Sequence, residues 1–173
     1  MKKGPRSKHT LTTKPIRVLQ VNTNRSGIVM AEAFNSAVGK FDIILFQEPW
    51  WGHLASGEEG SINQESWTVL PPVLPIPVGT APRVLAYFHR RGDFTVSVRL
   101  DIAQDLDLQF LEVRQGKFPP TIIVNLYNQQ SGDHTDGWSI DRLMEIELPS
   151  SCPLIGPFLL LSISTLTTTL LPY

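Results

Sequence analysis

Residues 16–47 read IRVLQVNTNRSGIVMAEAFNSAVGKFDIILFQ, and the fold class follows from them. Ile16 to Asn22 alternates apolar and polar side chains and is rich in β-branched residues, which predicts a strand. Over residues 26–40, Ile28, Ala31, Phe34 and Val38 recur at helical spacing, with Ser26 placed to cap the N-terminus and Gly39 the C-terminus. Phe41 to Phe46 is a short apolar run of the kind that forms a buried strand. Strand, helix and strand in such close succession make a βαβ-like opening.

Working outward, residues 1–15 form a polar arm that ends at Pro15. Downstream, residues 49–66 carry Gly52, Gly57 and Gly60 and read as loop, and Trp67 to Leu70 reads as a short strand. Pro71, Pro72, Pro75, Pro77 and Pro82 then exclude a helix interior. Strands are predicted over Val84–His89, Phe94–Leu100, Leu106–Val113 and Thr121–Leu126, with Arg91-Gly92-Asp93 as a turn after the first. Asp136 is placed to cap a helix over 137–146 that carries Trp138, Leu143 and Ile146 on one side. Several strands with few helices predict an α/β or α+β layered sandwich.

The 173 residues suit one domain, and 42% hydrophobic content is enough for a core. A single cysteine, Cys152, excludes an internal disulfide framework and reads as a small buried hydrophobe. The net charge of -1 hides a gradient. Lys2, Lys3, Arg6, Lys8, Lys14 and Arg17 lie ahead of the first acid, Glu32, and the remaining nine basic residues face sixteen acidic ones. A basic arm of this kind is either a solvated terminus or a contact for nucleic acid or an anionic membrane. It lacks an apolar stretch, so no signal peptide is read there, and an intracellular location, nucleus or cytoplasm, is expected. Beyond Glu147 the chain carries no charge. Residues 154–171 are open to three readings: buried strands, a membrane or interfacial segment interrupted by Pro157, or a foreign tail.

Candidate chemistry sits where predicted strands end. Asn22 closes the first, and Glu48 in Phe46-Gln47-Glu48-Pro49 follows the second, where a carboxylate is placed to hold a hard cation through oxygen. Tyr127-Asn128 closes the strand at 121–126, and a tyrosine there can donate to a phosphate oxygen. Trp50 and Trp51 either stack on a base or anchor the loop on the core. Arg90 and Arg91 read as a solvated turn or a phosphate contact. No Walker-type loop or zinc-ligand spacing is present in the sequence.

In this order, the stretches IRVLQVNTNRS, FDIILFQEPWWG, RVLAYFHRR, LDLQFLEVRQGKFPPTIIVNLYNQQSG and DGWSIDRLMEIELPSSCPLIG resemble the endonuclease/exonuclease/phosphatase family. The likeness covers residues 16–156 and is nearest to the endonuclease domain of fungal non-LTR retrotransposons. The resemblance implies a two-sheet α/β sandwich flanked by helices, Mg²⁺ (or Mn²⁺) as cofactor, and hydrolysis of a DNA phosphodiester. Glu48 matches the family's metal-binding Glu, Asn22 the Asn that assists metal and phosphate positioning, and Tyr127 the catalytic Tyr near the scissile phosphate, with Asn128 beside it; Arg25 and Trp50 are expected to contact nucleic acid. No small-molecule cofactor and no membrane partner are expected.

The sequence also departs from that pattern. Where the family continues Gly-Asp-Phe-Asn, this chain reads Gly156-Pro157-Phe158-Leu159, and neither Pro nor Leu can bind a metal or orient a water. The family's later Asp and its terminal Asp-His pair have no counterpart, and His9, His53, His89 and His134 do not stand in the matching place. The expectation is therefore a basic arm at 1–15, a partial domain at 16–156 with its C-terminal part missing, and an uncharged non-family tail at 157–173. Activity impaired by truncation is the leading functional expectation. The alternatives are a non-catalytic nucleic-acid-binding remnant and a phosphatase of the same fold.

Overall fold

The structure is a computed structural model that describes residues 14–90, 93–128, 139–147 and the strands at 159–161 and 167–170. The chain opens with β1 (Arg17–Asn22), α1 (Gly27–Ala37) and β2 (Ile43–Gln47). β1 and β2 run parallel, Val18 opposite Ile43 through Asn22 opposite Gln47, so the βαβ opening is present as expected. β3 (Gly52–His53) and β4 (Glu59–Gly60) form a small ribbon inside the stretch expected as loop. β5 (Trp67–Leu70), β6 (Val84–His89), β7 (Phe94–Val98), β8 (Leu108–Gln115) and β9 (Thr121–Leu126) follow. Then come α2 (Ser139–Glu145), β10 (Leu159–Leu161) and β11 (Thr167–Leu170).

Two sheets result, ordered β11-β1-β2-β6-β5 and β10-β9-β8-β7. The uncharged C-terminal stretch thus supplies an edge strand to each: β11 antiparallel to β1, β10 parallel to β9. No helix among the described residues is long and apolar enough to cross a membrane.

Side-chain alternation explains the layers. Ile43 and Leu45 of β2 face inward with Val18, Ala86, Leu111, Val113 and Ile123, and these fill the space between the sheets. The intervening Ile44 and Phe46 face outward and meet α1 in an aromatic layer with Phe34, Trp67 and Tyr87. There the Phe34 ring lies 4.8 Å from Tyr87 and 5.3 Å from Phe46, both edge to face, the favoured geometry for aromatic pairs. On the far side, Leu108, Phe110, Ile122, Val124 and Leu126 are covered by Ile140, Leu143 and Ile146 of the α2 region. The order of layers is therefore helix, sheet, sheet, helix.

Two local expectations are corrected. α1 is capped by Ser26 as expected, its hydroxyl accepting from Val29 N–H at 3.3 Å, but the buried face is Met30, Ala33, Phe34 and Ala37. Ile28 and Val38 are exposed. Small Ala33 and Ala37 let the helix approach the sheet, and Phe34 fills the gap, so steric fit selects this stripe over the bulkier one. β8 begins two residues later than expected. Its lead-in is a turn: the Asp105 carboxylate accepts from Asp107 N–H at 2.7 Å, and the Leu106 carbonyl accepts from Arg83 N–H at 2.8 Å. The arm at 1–13, the Arg91-Gly92 turn, Asp136, Trp138, Cys152 and Pro157 lie outside the described residues.

Candidate active site

Alternation carries on past the apolar interior with a different chemistry. The inward-facing rows end in Gln20 on β1, Gln47 on β2, Gln109 on β8 and Asn125 on β9, all buried. A buried amide without a partner costs about 1–3 kcal/mol, and the side-chain nitrogens of Gln47, Gln109 and Asn125 find acceptors across the sheets, whereas Asn125 Oδ1 has none among the described residues. Gln47 Nε2 donates to the Leu126 carbonyl at 2.5 Å, and Gln109 Nε2 donates to the Leu70 carbonyl at 2.7 Å. Asn125 Nδ2 makes longer contacts to Phe46 O at 3.4 Å and Gln109 Oε1 at 3.5 Å. This polar seam pins the end of β2, in one sheet, to the end of β9, in the other.

Directly beyond the seam the expected site residues converge. Tyr127 Oη donates to Glu48 Oε1 at 2.9 Å, joining residues 79 apart in sequence. Glu48 sits in the left-handed backbone region with φ 47°, and so do Asn24 (φ 47°) and Arg25 (φ 57°). Such a conformation costs an L-residue with a Cβ about 1–2 kcal/mol, so the surroundings must hold it. They do so through the Glu48 carbonyl, which accepts from Arg25 N–H at 2.7 Å and from the Thr23 hydroxyl at 2.5 Å. Glu48 N–H donates to the Arg83 carbonyl at 2.8 Å. The turn after β1 and the turn after β2 are thus clamped together, and the left-handed φ takes Glu48 out of strand alternation and beside Tyr127.

Asn22 lies at the end of β1 opposite Gln47. Its Oδ1 accepts from Asn24 N–H at 2.9 Å, which shapes the turn that positions Arg25. Asn128 follows Tyr127, and its Oδ1 is buried with no hydrogen-bond partner among the described residues. Arg25 is exposed on the rim. Trp50 is half-buried and packs against the aromatic layer under α1. A Cβ added at Gly52 would come within 3.0 Å of the Trp50 ring, and one at Gly27 within 3.5 Å. Its packing matches the loop-anchor alternative.

Comparison with known proteins adds little to this geometry. No family model matches the chain, and no curated protein matches it in sequence. Among solved structures there is a distant resemblance to "Endonuclease domain of TRAS1, a telomere-specific non-LTR retrotransposon". The two are 21% identical, the match covers 67% of this chain and 47% of that chain, and the TM-score is 0.48. The chain spans less than half the length of the structure it matches.

The electrostatics concern mainly Tyr127. Burial pushes its phenol above the ordinary range, and the hydrogen bond and negative charge of Glu48 push the same way. The positive charges of Arg83 and Arg25 oppose the shift. The phenol is therefore a protonated donor at neutral pH. Glu48 keeps Oε2, the oxygen not bonded to Tyr127, as an acceptor.

Sequence reading missed Thr23, Gln47, Arg83 and Asp107. Arg83 places its guanidinium 5.7 Å from the centre of the Tyr127 ring, and its Nε lies 3.4 Å from Asp107 Oδ1. Gln47 did carry a signal, an amide at the end of an otherwise apolar strand. Arg83 and Asp107 carried none, because their partners are distant in sequence.

Proposed function

We propose that this protein carries the metal- and phosphate-facing part of a phosphodiesterase site of the endonuclease type, with DNA as substrate. The observation that carries the reading is the Tyr127–Glu48 hydrogen bond, made where strand ends of both sheets meet. The motif series read from the sequence supports it independently.

The donor set fits a hard divalent cation. Glu48 offers a carboxylate oxygen, Asn22, at the end of the strand paired with β2, an amide oxygen that also accepts from Asn24 N–H, and Asn128 a buried oxygen that lacks a partner among the described residues. Mg²⁺ is commonly held by one or two carboxylates together with waters and substrate phosphate, so a single Glu is compatible. When bound, Mg²⁺ would neutralise charge that develops on phosphate oxygens. The chain's own groups supply position. Tyr127 holds the Glu48 carboxylate in one orientation, and as a neutral donor it places no negative charge against an incoming phosphate. Arg25 offers an exposed cation at the rim, suited to a flanking phosphate.

A second reading has its own observation. Among the described residues there is no group of three or more His, Cys, Asp or Glu able to hold a metal, and the sequence has no Asp or Asn at the family's Gly-Asp-Phe-Asn position. That pattern motivates the second reading, a chain that binds nucleic acid without cleaving it. Incubation with supercoiled plasmid and Mg²⁺ separates the two readings. The nuclease reading predicts slow nicking that Glu48→Ala abolishes. Nicking that survives Glu48→Ala removes the site assignment, and binding without nicking selects the second reading.

A further inference from the structure

The ends of β2, β6, β8 and β9 meet in a closed ring of contacts that the proposed chemistry leaves unexplained. Glu48 N–H donates to the Arg83 carbonyl at 2.8 Å, and the Asp107 carbonyl accepts from Tyr127 N–H at 2.8 Å. Between these two backbone links, Arg83 Nε pairs with Asp107 Oδ1 at 3.4 Å, and the guanidinium carbon stands 5.7 Å from the Tyr127 ring centre. The phenol closes the ring on Glu48 at 2.9 Å. Asp107 is fixed in turn from α2: its Oδ2 accepts from Arg142 Nη2 at 3.1 Å, and Arg142 Nε lies 2.8 Å from Asp105 Oδ2.

We propose that Arg83, held by Asp107, is a positioning residue that fixes the Tyr127 ring so that its phenol meets Glu48. The proposal deepens the reading of Glu48 and Tyr127 as the phosphate-facing pair, and its functional meaning rests on that reading. The ring of Tyr127 would otherwise be free to turn about its side-chain torsions at the sandwich end. A planar cation beside the ring and an ion pair behind the cation remove that freedom. The Arg83 side chain is about one-third exposed and that of Asp107 20% exposed, so the pair is partly sheltered from solvent screening. Lysine is a compact point charge and cannot set a cation over the ring while a second nitrogen pairs with Asp107. Arg83 keeps its backbone bonds to Leu106 and Glu48 whatever its side chain, so substitution tests positioning with the local backbone intact.

The test uses the full chain labelled with 3-fluorotyrosine and read by ¹⁹F NMR without metal or DNA. The chain has three tyrosines, Tyr87, Tyr127 and Tyr173, and Tyr127→Phe assigns the line of interest. Arg83→Met is expected to shift and broaden the Tyr127 line while the Tyr87 line stays in place. Arg83→Lys is expected to restore only part of the position, and it provides the same comparison if the Met variant folds poorly. In the plasmid assay, Arg83→Met should slow nicking about tenfold or more, as misplacement of a reacting group does, with duplex affinity in EDTA changed less than about twofold. An unmoved Tyr127 line in either folded variant overturns the proposal, as does a Tyr87 line that moves as far as that of Tyr127. A wild-type chain that fails to nick counts against the nuclease reading and leaves the NMR comparison standing.

Discussion

The interior of the sandwich and its site end use the same strands and hold them by opposite means. Between the sheets, Ile43, Leu45, Leu111 and Ile123 are fully buried and pack without direction. At the site end, Gln47, Tyr127 and Glu48 are held by hydrogen bonds with fixed partners and lengths. One strand passes through both regimes: β2 contributes Ile43 and Leu45 to the first and Gln47 to the second, all on one face. Stability and the geometry of the candidate site are therefore separable here. Apolar burial supplies most of the folding free energy, while the polar seam selects where two distant strand ends come to rest.

The largest expected effect breaks the apolar side. Leu45→Ala removes a fully buried side chain from the space between the sheets and should cost about 3–4 kcal/mol in urea unfolding. A cost below about 1 kcal/mol would mean that the interior is loosely packed.

Next in size is a pH effect in the aromatic layer. Burial pushes the Tyr87 phenol up to about 12, against a weaker opposing pull from the Ser61 hydroxyl. Its phenol donates to the Ile62 carbonyl at 2.7 Å. An unfolded tyrosine loses its proton near pH 10, and the folded one keeps it until about 12. The contribution is therefore complete below pH 10 and lost as pH rises toward 12, a total of about 2–3 kcal/mol. Alkaline unfolding of Tyr87→Phe should be shallower across that window than that of the wild type. Identical slopes would show that Tyr87 titrates normally.

Smaller in energy but sharper for the comparison is Gln47→Leu. It leaves the Leu126 carbonyl without its side-chain donor and should cost about 1–2 kcal/mol. The Tyr127–Glu48 geometry should loosen with it, seen as a shifted Tyr127 ¹⁹F line, whereas Leu45→Ala, if folded, should leave that line in place. If the two substitutions perturb Tyr127 equally, the division between packing and site geometry fails.

Legibility from sequence divides along the same boundary. Val84–His89 and Thr121–Leu126 were readable to the residue because alternation and β-branching act locally. Asn22, Glu48 and Tyr127 were readable as strand-terminal polar groups that the resemblance grouped together, and the structure brings Glu48 and Tyr127 into contact. Their mutual arrangement was not, since it depends on Gln47 reaching Leu126 and on a left-handed Glu48. Nothing in the local sequence announces positive φ at a glutamate. Arg83 and Asp107 were invisible for a related reason: each acts on Tyr127 from another strand end. The helix face was misread because spacing alone does not say whether Ile28 or Ala33 fits against the aromatic layer.

The proposed cation site at these strand ends is centred on Glu48. Titration of the metal-free protein with Mn²⁺, following the EPR signal of the free ion, tests it without requiring turnover. One weak site is expected, from which Mg²⁺ displaces Mn²⁺ and which Glu48→Gln abolishes, with the fold unchanged by circular dichroism. Mn²⁺ binding that is equal in the wild type and Glu48→Gln, or absent from the wild type, would contradict it.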